Sequence, residues 1–92
     1  MRTIIFEKWV VKIITHYQSK HQKQIKEKIL SLKENPLPND GKMLTGYPNF
    51  YRCDVGEYRV IYRFDIDSIY ILLVGKRNDS EVFKKFKHKI DK

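Results

Sequence analysis

Apolar and polar positions change their period twice along the chain. The opening run "RTIIF", Arg2–Phe6, is short, β-branched and aromatic, and predicts a first strand. From Glu7 the spacing lengthens: Trp9, Val10, Ile13, Ile14 and Tyr17 recur at three and four residues, which predicts a helix with one apolar stripe facing the domain interior. "SKHQ" then has the form of a capping box, with Ser19 as N-cap and Gln22 three residues on. The helix that follows would carry Ile25, Ile29, Leu30 and Leu32 inward and Lys20, Lys23, Lys26 and Lys28 outward. "ENPLPNDG" ends it, because Pro36 and Pro38 cannot donate backbone hydrogen bonds and Asn39, Asp40 and Gly41 favour a turn.

The second half alternates at period two. "NFYRCDV", "EYRVIYRFD" and "SIYILLVGK" are strand-like runs separated by Gly56-Glu57 and by Ile66-Asp67, links short enough for tight hairpins. The end, "NDSEVFKKFKHKI", predicts a short basic helix capped by Asn78 and Glu81, with Val82, Phe83 and Phe86 inward. The expected architecture is α+β and a single domain over residues 1–92. An N-terminal strand at one edge and a helical hairpin on one face pack on a small antiparallel sheet, and a short C-terminal helix follows.

Composition adds a partner to this picture. Nineteen Lys and Arg stand against 11 Asp and Glu, a net charge of +8 on 92 residues, which favours an anionic partner such as nucleic acid, a phosphate-rich assembly or an acidic protein. A single cysteine, Cys53, excludes an internal disulfide framework and fits a reducing cytosol. The three histidines, His16, His21 and His88, are scattered, so no metal is expected. The N-terminal apolar run is too short and too charged for a signal peptide or a membrane span, and a cytoplasmic protein is expected.

The cations are not evenly spread. In "GEYRVIYRFD", alternation puts Arg59, Ile61 and Arg63 on one face and Tyr58, Val60, Tyr62 and Phe64 on the other. On the preceding strand Phe50, Arg52 and Asp54 share a face. If Arg52 and Arg59 flank the same turn on the open face, then Arg52, Arg59, Arg63, Lys76 and Arg77 would form a phosphate-binding floor. Arginine suits that task because its planar fork bonds two phosphate oxygens at once. Arg63 has acids beside it and is expected to pair with Asp65 or Asp67, whereas Arg59 and Arg77 have fewer.

"MLTGYPNFYRCDVGEYRVIYRFD", followed by "IYILLVGKRNDSEVF", resembles the RelE/ParE superfamily of type II toxin–antitoxin toxins, and the RelE branch most. The similarity spans nearly the whole chain, including the link Leu44–Pro48. It implies the microbial ribonuclease-like RelE fold and a ribosome-dependent endoribonuclease that cuts mRNA in the A site, without metal or cofactor. The partners implied are the ribosome, mRNA and an antitoxin, in a hetero-oligomer. The superfamily's two phosphate-contacting arginines match Arg59 and Arg77. Its first strand lysine falls on Arg52 and its second, the general base, on Asp54. Its C-terminal tyrosine falls on Phe83 and an upstream arginine on Thr45. The phosphate clamp is thus kept and the proton-transfer groups are changed. Asp54 can serve as a base or as a salt bridge holding an arginine. Those changes also leave open a ParE-like inhibitor of DNA gyrase, or a toxin that only binds its antitoxin.

Overall fold

The computed structural model describes residues 2–38 and 41–76, with Lys84, Lys87 and His88. The elements are β1 (Thr3–Phe6), α1 (Lys8–Thr15), α2 (Ser19–Ser31), β2 (Lys42–Leu44), β3 (Tyr47–Val55), β4 (Tyr58–Phe64) and β5 (Ser68–Lys76). All five strands join one sheet in the order β1-β5-β4-β3-β2. The expected meander is β3, β4 and β5, antiparallel throughout. The sheet is nevertheless mixed, because β1 pairs parallel to β5. The three-residue β2, outside β3, has no counterpart in the sequence reading. The expected C-terminal cap and its inward residues (Asn78, Glu81, Val82, Phe83 and Phe86) lie outside the described residues, as do Asn39 and Asp40 of the expected turn; Lys84, Lys87 and His88 are helical and exposed.

Both helices cover one face. Val10, Ile25, Ile29 and Leu32 from the helical hairpin are buried against Cys53, Tyr58, Val60, Tyr62, Ile69, Ile71 and Val74 from the sheet. Leu30, expected inward, is 45% exposed, because it lies one residue (about 100° of helix turn) beyond Ile29 and so leaves the stripe. The expected capping box is also absent. Gln18, with extended backbone, is the N-cap of α2, and no side chain caps it. Gln22 turns back instead: its amide donates to the carbonyl of Tyr17 at 2.7 Å and to that of Thr15 at 3.4 Å, and so serves the open end of α1.

One extra residue in β5 organises the far side. Ile61 pairs with Leu73 but Tyr62 pairs with Ile71, so Leu72 is bulged. The bulge shifts alternation on β5: Ile69, Ile71 and Val74 face the helices, while Leu73 turns to the opposite face beside Ile61 and Leu44. The Trp9 indole of α1 donates to the Leu72 carbonyl at 2.7 Å, and the Glu7 amide donates to Ile71 at 3.2 Å. The helix thereby continues the edge where β1 stops.

The hairpins are as tight as the sequence implies. Gly56 takes φ +55° in the two-residue link between Val55 and Tyr58, a conformation that favours glycine. In the next hairpin the Asp65 carboxylate accepts the amides of Asp67 and Ser68 at 2.9 and 2.8 Å. These backbone bonds hold its pKa below the usual carboxylate value, with smaller help from the Tyr70 hydroxyl and Arg63. Tyr62, fully buried, donates its hydroxyl to the Pro36 carbonyl at 2.6 Å and ties the segment that follows α2 to the sheet.

Two outcomes follow from these contacts. Tyr62→Phe removes that tie and should cost about 1 kcal/mol in urea unfolding, with no change in fold; an unchanged midpoint would discount the bond. Because the folded pKa of Asp65 is lowered, its stabilising effect is present above the unfolded value and lost as pH falls through the folded one. The unfolding midpoint of Asp65→Asn should therefore lie below that of the native chain at about pH 6, and the gap should close by about pH 2. A gap that persists in acid would assign the turn's stability to something other than the carboxylate's charge.

Candidate functional site

The candidate site lies on the face turned away from the helices, and register decides what meets there. Lys42, Arg52, Ile61 and Leu73 form one cross-strand row, and Asp54, Arg59 and Gly75 form the next. Arg59 lies directly opposite Asp54. Its Nε donates to Asp54 Oδ1 at 2.8 Å, and a second nitrogen approaches Oδ2 at 3.5 Å. The pair is partly withdrawn from water, with side chains 16% and 29% exposed for Arg59 and Asp54. On the other side of Arg59 stands Gly75, which has no side chain to crowd the guanidinium.

Other expected members of the floor lie elsewhere. Lys76 pairs with Tyr58, whose ring is buried under the helices, so Lys76 shares that side of the sheet and leaves Arg59's row. Alternation alone had no register with which to see this. Arg63 is exposed near the opposite end of β4. Its guanidinium lies 3.9 Å above the Tyr70 ring, and among the described residues it forms no ion pair with Asp65 or Asp67. The stacking replaces the expected pairing, because Tyr70 is its direct cross-strand neighbour. Arg77 and Phe83 lie outside the described residues. The structure therefore brings together Arg59, Asp54 and Arg52, with Arg52 one row along from the ion pair.

Arg52 opens onto a different neighbourhood. A groove of about 460 Å³ is lined by Lys42, Met43, Leu44, Thr45, Tyr47, Arg52 and Lys87. Lys42 and Lys87 were not among the candidates from sequence. The signal for Lys42 was its place on a strand, and "KML" is too short to show period-two alternation.

A second concavity, of about 520 Å³, lies between the helices. Phe6, Val11, Ile14 and Ile29 contribute apolar surface to it, with Lys23 and Lys26 among its polar lining. Phe6 and Val11 are 41% and 49% exposed, unusual for side chains of their size. Among the described residues no helix is long and apolar enough to cross a membrane.

Comparison with known proteins agrees with this architecture. Of solved structures, the chain is similar to the RelE–RelB complex of Pyrococcus horikoshii, an archaeon, at 29% identity, covering 83% of this chain and 94% of that one with a TM-score of 0.71. The RelB–RelE antitoxin–toxin complex of Methanococcus jannaschii matches at 29% identity over 89% of this chain and 98% of that one, with a TM-score of 0.69. The isolated RelE toxin of E. coli shares the fold at 24% identity, covering 98% and 99% of the two chains with a TM-score of 0.73. No curated protein sequence matches. The model of the ParE toxin of the type II toxin–antitoxin system parDE matches residues 5–81, most of the chain. The chain therefore belongs to the ParE toxin family, within the RelE/ParE superfamily of type II toxin–antitoxin toxins.

Proposed function

We propose that this toxin is a ribosome-dependent endoribonuclease that cuts mRNA in the A site and is neutralised by an antitoxin. The observation that carries the reading is Arg59, fixed by Asp54, bordered by Gly75, and one row from Arg52 on the face the helices leave open. In the reaction the ribose 2′-oxygen attacks the adjacent phosphorus and the bond to the 5′-oxygen breaks, leaving a cyclic phosphate and a 5′-hydroxyl. One proton leaves the 2′-hydroxyl and one arrives on the 5′-oxygen. Arg59, with Arg77, stabilises the charge that grows on the phosphate oxygens, and Arg52 stands one row along, toward the neighbouring phosphate. Asp54 acts first as a positioning residue: a carboxylate bonded to a guanidinium is a weakened base, and Arg52 cannot accept a proton near neutral pH. The ribosome would supply much of the orientation.

A second reading is inhibition of DNA gyrase without RNA cleavage. It is favoured by the ParE family match and by the changed proton-transfer positions Arg52, Asp54 and Phe83. The antitoxin partner is common to both readings, since structural neighbours of the chain are antitoxin–toxin complexes. The helix-side groove suits an amphipathic antitoxin segment, with apolar side chains on Val11 and Phe6 and carboxylates toward Lys23 and Lys26.

Primer extension on programmed ribosomes tests the nuclease. Arg59→Ala should reduce A-site cleavage by about 10²–10³-fold. Asp54→Asn should reduce it by about tenfold without altering the pH profile, as expected of a positioning group. A loss as large as that of Arg59→Ala, together with loss of the acidic limb, would identify Asp54 as the base instead. No cleavage by the native chain, with inhibition of gyrase supercoiling, would establish the second reading. Separately, Val11→Glu should weaken antitoxin binding by about tenfold or more while leaving cleavage intact; unchanged affinity would move the antitoxin off this groove.

A further inference from the structure

From the groove beside Arg52 we infer a second RNA-backbone site, in which Lys42, Arg52 and Lys87 hold a phosphate next to the one held by Arg59. The inference deepens the ribonuclease reading and rests on it.

Lys42 and Arg52 are direct cross-strand partners, a juxtaposition of like charges that costs stability when nothing lies between them. Lys87 joins them, and none of the described residues lining the groove is acidic. Three cations converging without a counter-charge fit a site whose counter-charge arrives with a ligand. The remaining lining narrows the ligand's class. Tyr47, half-buried against Leu44, Ile61 and Leu73, turns the remainder of its ring to the groove, where a base can stack, and Thr45 offers a hydroxyl for a phosphate or sugar oxygen. Cations that follow a backbone, interleaved with an aromatic, are the pattern of single-stranded nucleic acid binding, whereas an acidic peptide has no need of the ring.

Spacing agrees. The Lys42–Arg52 row lies two residues along β3 from the Asp54–Arg59 row, roughly 7 Å away, which is comparable to the step between neighbouring phosphates in an extended strand. Asp54 keeps the two sites distinct, since its carboxylate lies against Arg59. The strand of RNA would thus run obliquely along β3, with one phosphate at Arg59 on β4 and the next in the groove between β2 and β3.

The test is fluorescence anisotropy of the full chain with a labelled single-stranded uridine oligonucleotide over a salt series. Lys42 and Lys87 are exposed, so Lys42→Gln and Lys87→Gln should fold normally, which thermal melting verifies. Each should weaken binding about fivefold and lower the slope of log affinity against log salt by about 0.7, the loss of one phosphate contact. Tyr47→Leu should weaken binding with the slope unchanged, a split that a purely electrostatic site would not give. Wild-type affinity and slope in both lysine variants would overturn the groove, as would failure of the native chain to bind the oligonucleotide. Equal affinity for polyglutamate, lost in the same variants, would overturn it in favour of an acidic protein. The ribosomal assay decides the nuclease reading separately: cleavage that survives both lysine substitutions and fails in Arg59→Ala keeps that reading while removing the groove.

Discussion

Burial of Val60 and Tyr62 beneath the helical hairpin is the constraint on which the rest of the molecule turns. Both are fully withdrawn from water, and β4 is the middle strand of five. With those two side chains fixed inward, Arg59 and Arg63 have only the other face to occupy. A one-residue slip of β4 would bury two guanidinium groups and expose the core, so the register that stabilises the domain also sets the candidate site. The candidate site is in this sense a by-product of packing: no loop has to be held in place to present Arg59.

The same logic explains what could be seen beforehand. The helix stripes and the three long strands were legible because each repeats its period over enough residues to be counted, and the hairpins because Gly56-Glu57 and Ile66-Asp67 leave room for little else. The face carrying Arg52, Arg59 and Arg63 followed from alternation alone. What alternation lacks is relative position between strands. Hence Lys76 was grouped with Arg59 although it pairs with Tyr58, and Arg63 was matched to sequence neighbours when its cross-strand neighbour is Tyr70. At the Leu72 bulge the Trp9 indole reaches the carbonyl from more than sixty residues away, a contact invisible to any local pattern. Ser19 misled for a related reason: the local motif was present, but Gln22 found a better use at the end of α1.

Within the site, Asp54 faces two demands that pull apart. Holding Arg59 at 2.8 Å favours the ionised carboxylate and a defined guanidinium, whereas accepting a proton favours a carboxylate less committed to a cation. The superfamily resemblance places a lysine at this position, so the substitution reverses the sign of the charge beside Arg59. Beside Arg59 an acid offsets part of the local positive charge where a lysine would add to it.

The edges of the sheet carry a last consequence. β1 has four residues and β2 has three, and α1 takes over from β1 along β5 with its indole on the Leu72 carbonyl. Among the described residues both border strands are short, and Arg2 and Lys42 stand charged beside them. Short, charged margins are a natural defence against one copy templating strand addition by another. That brevity leaves a second copy little backbone against which to add a strand of its own.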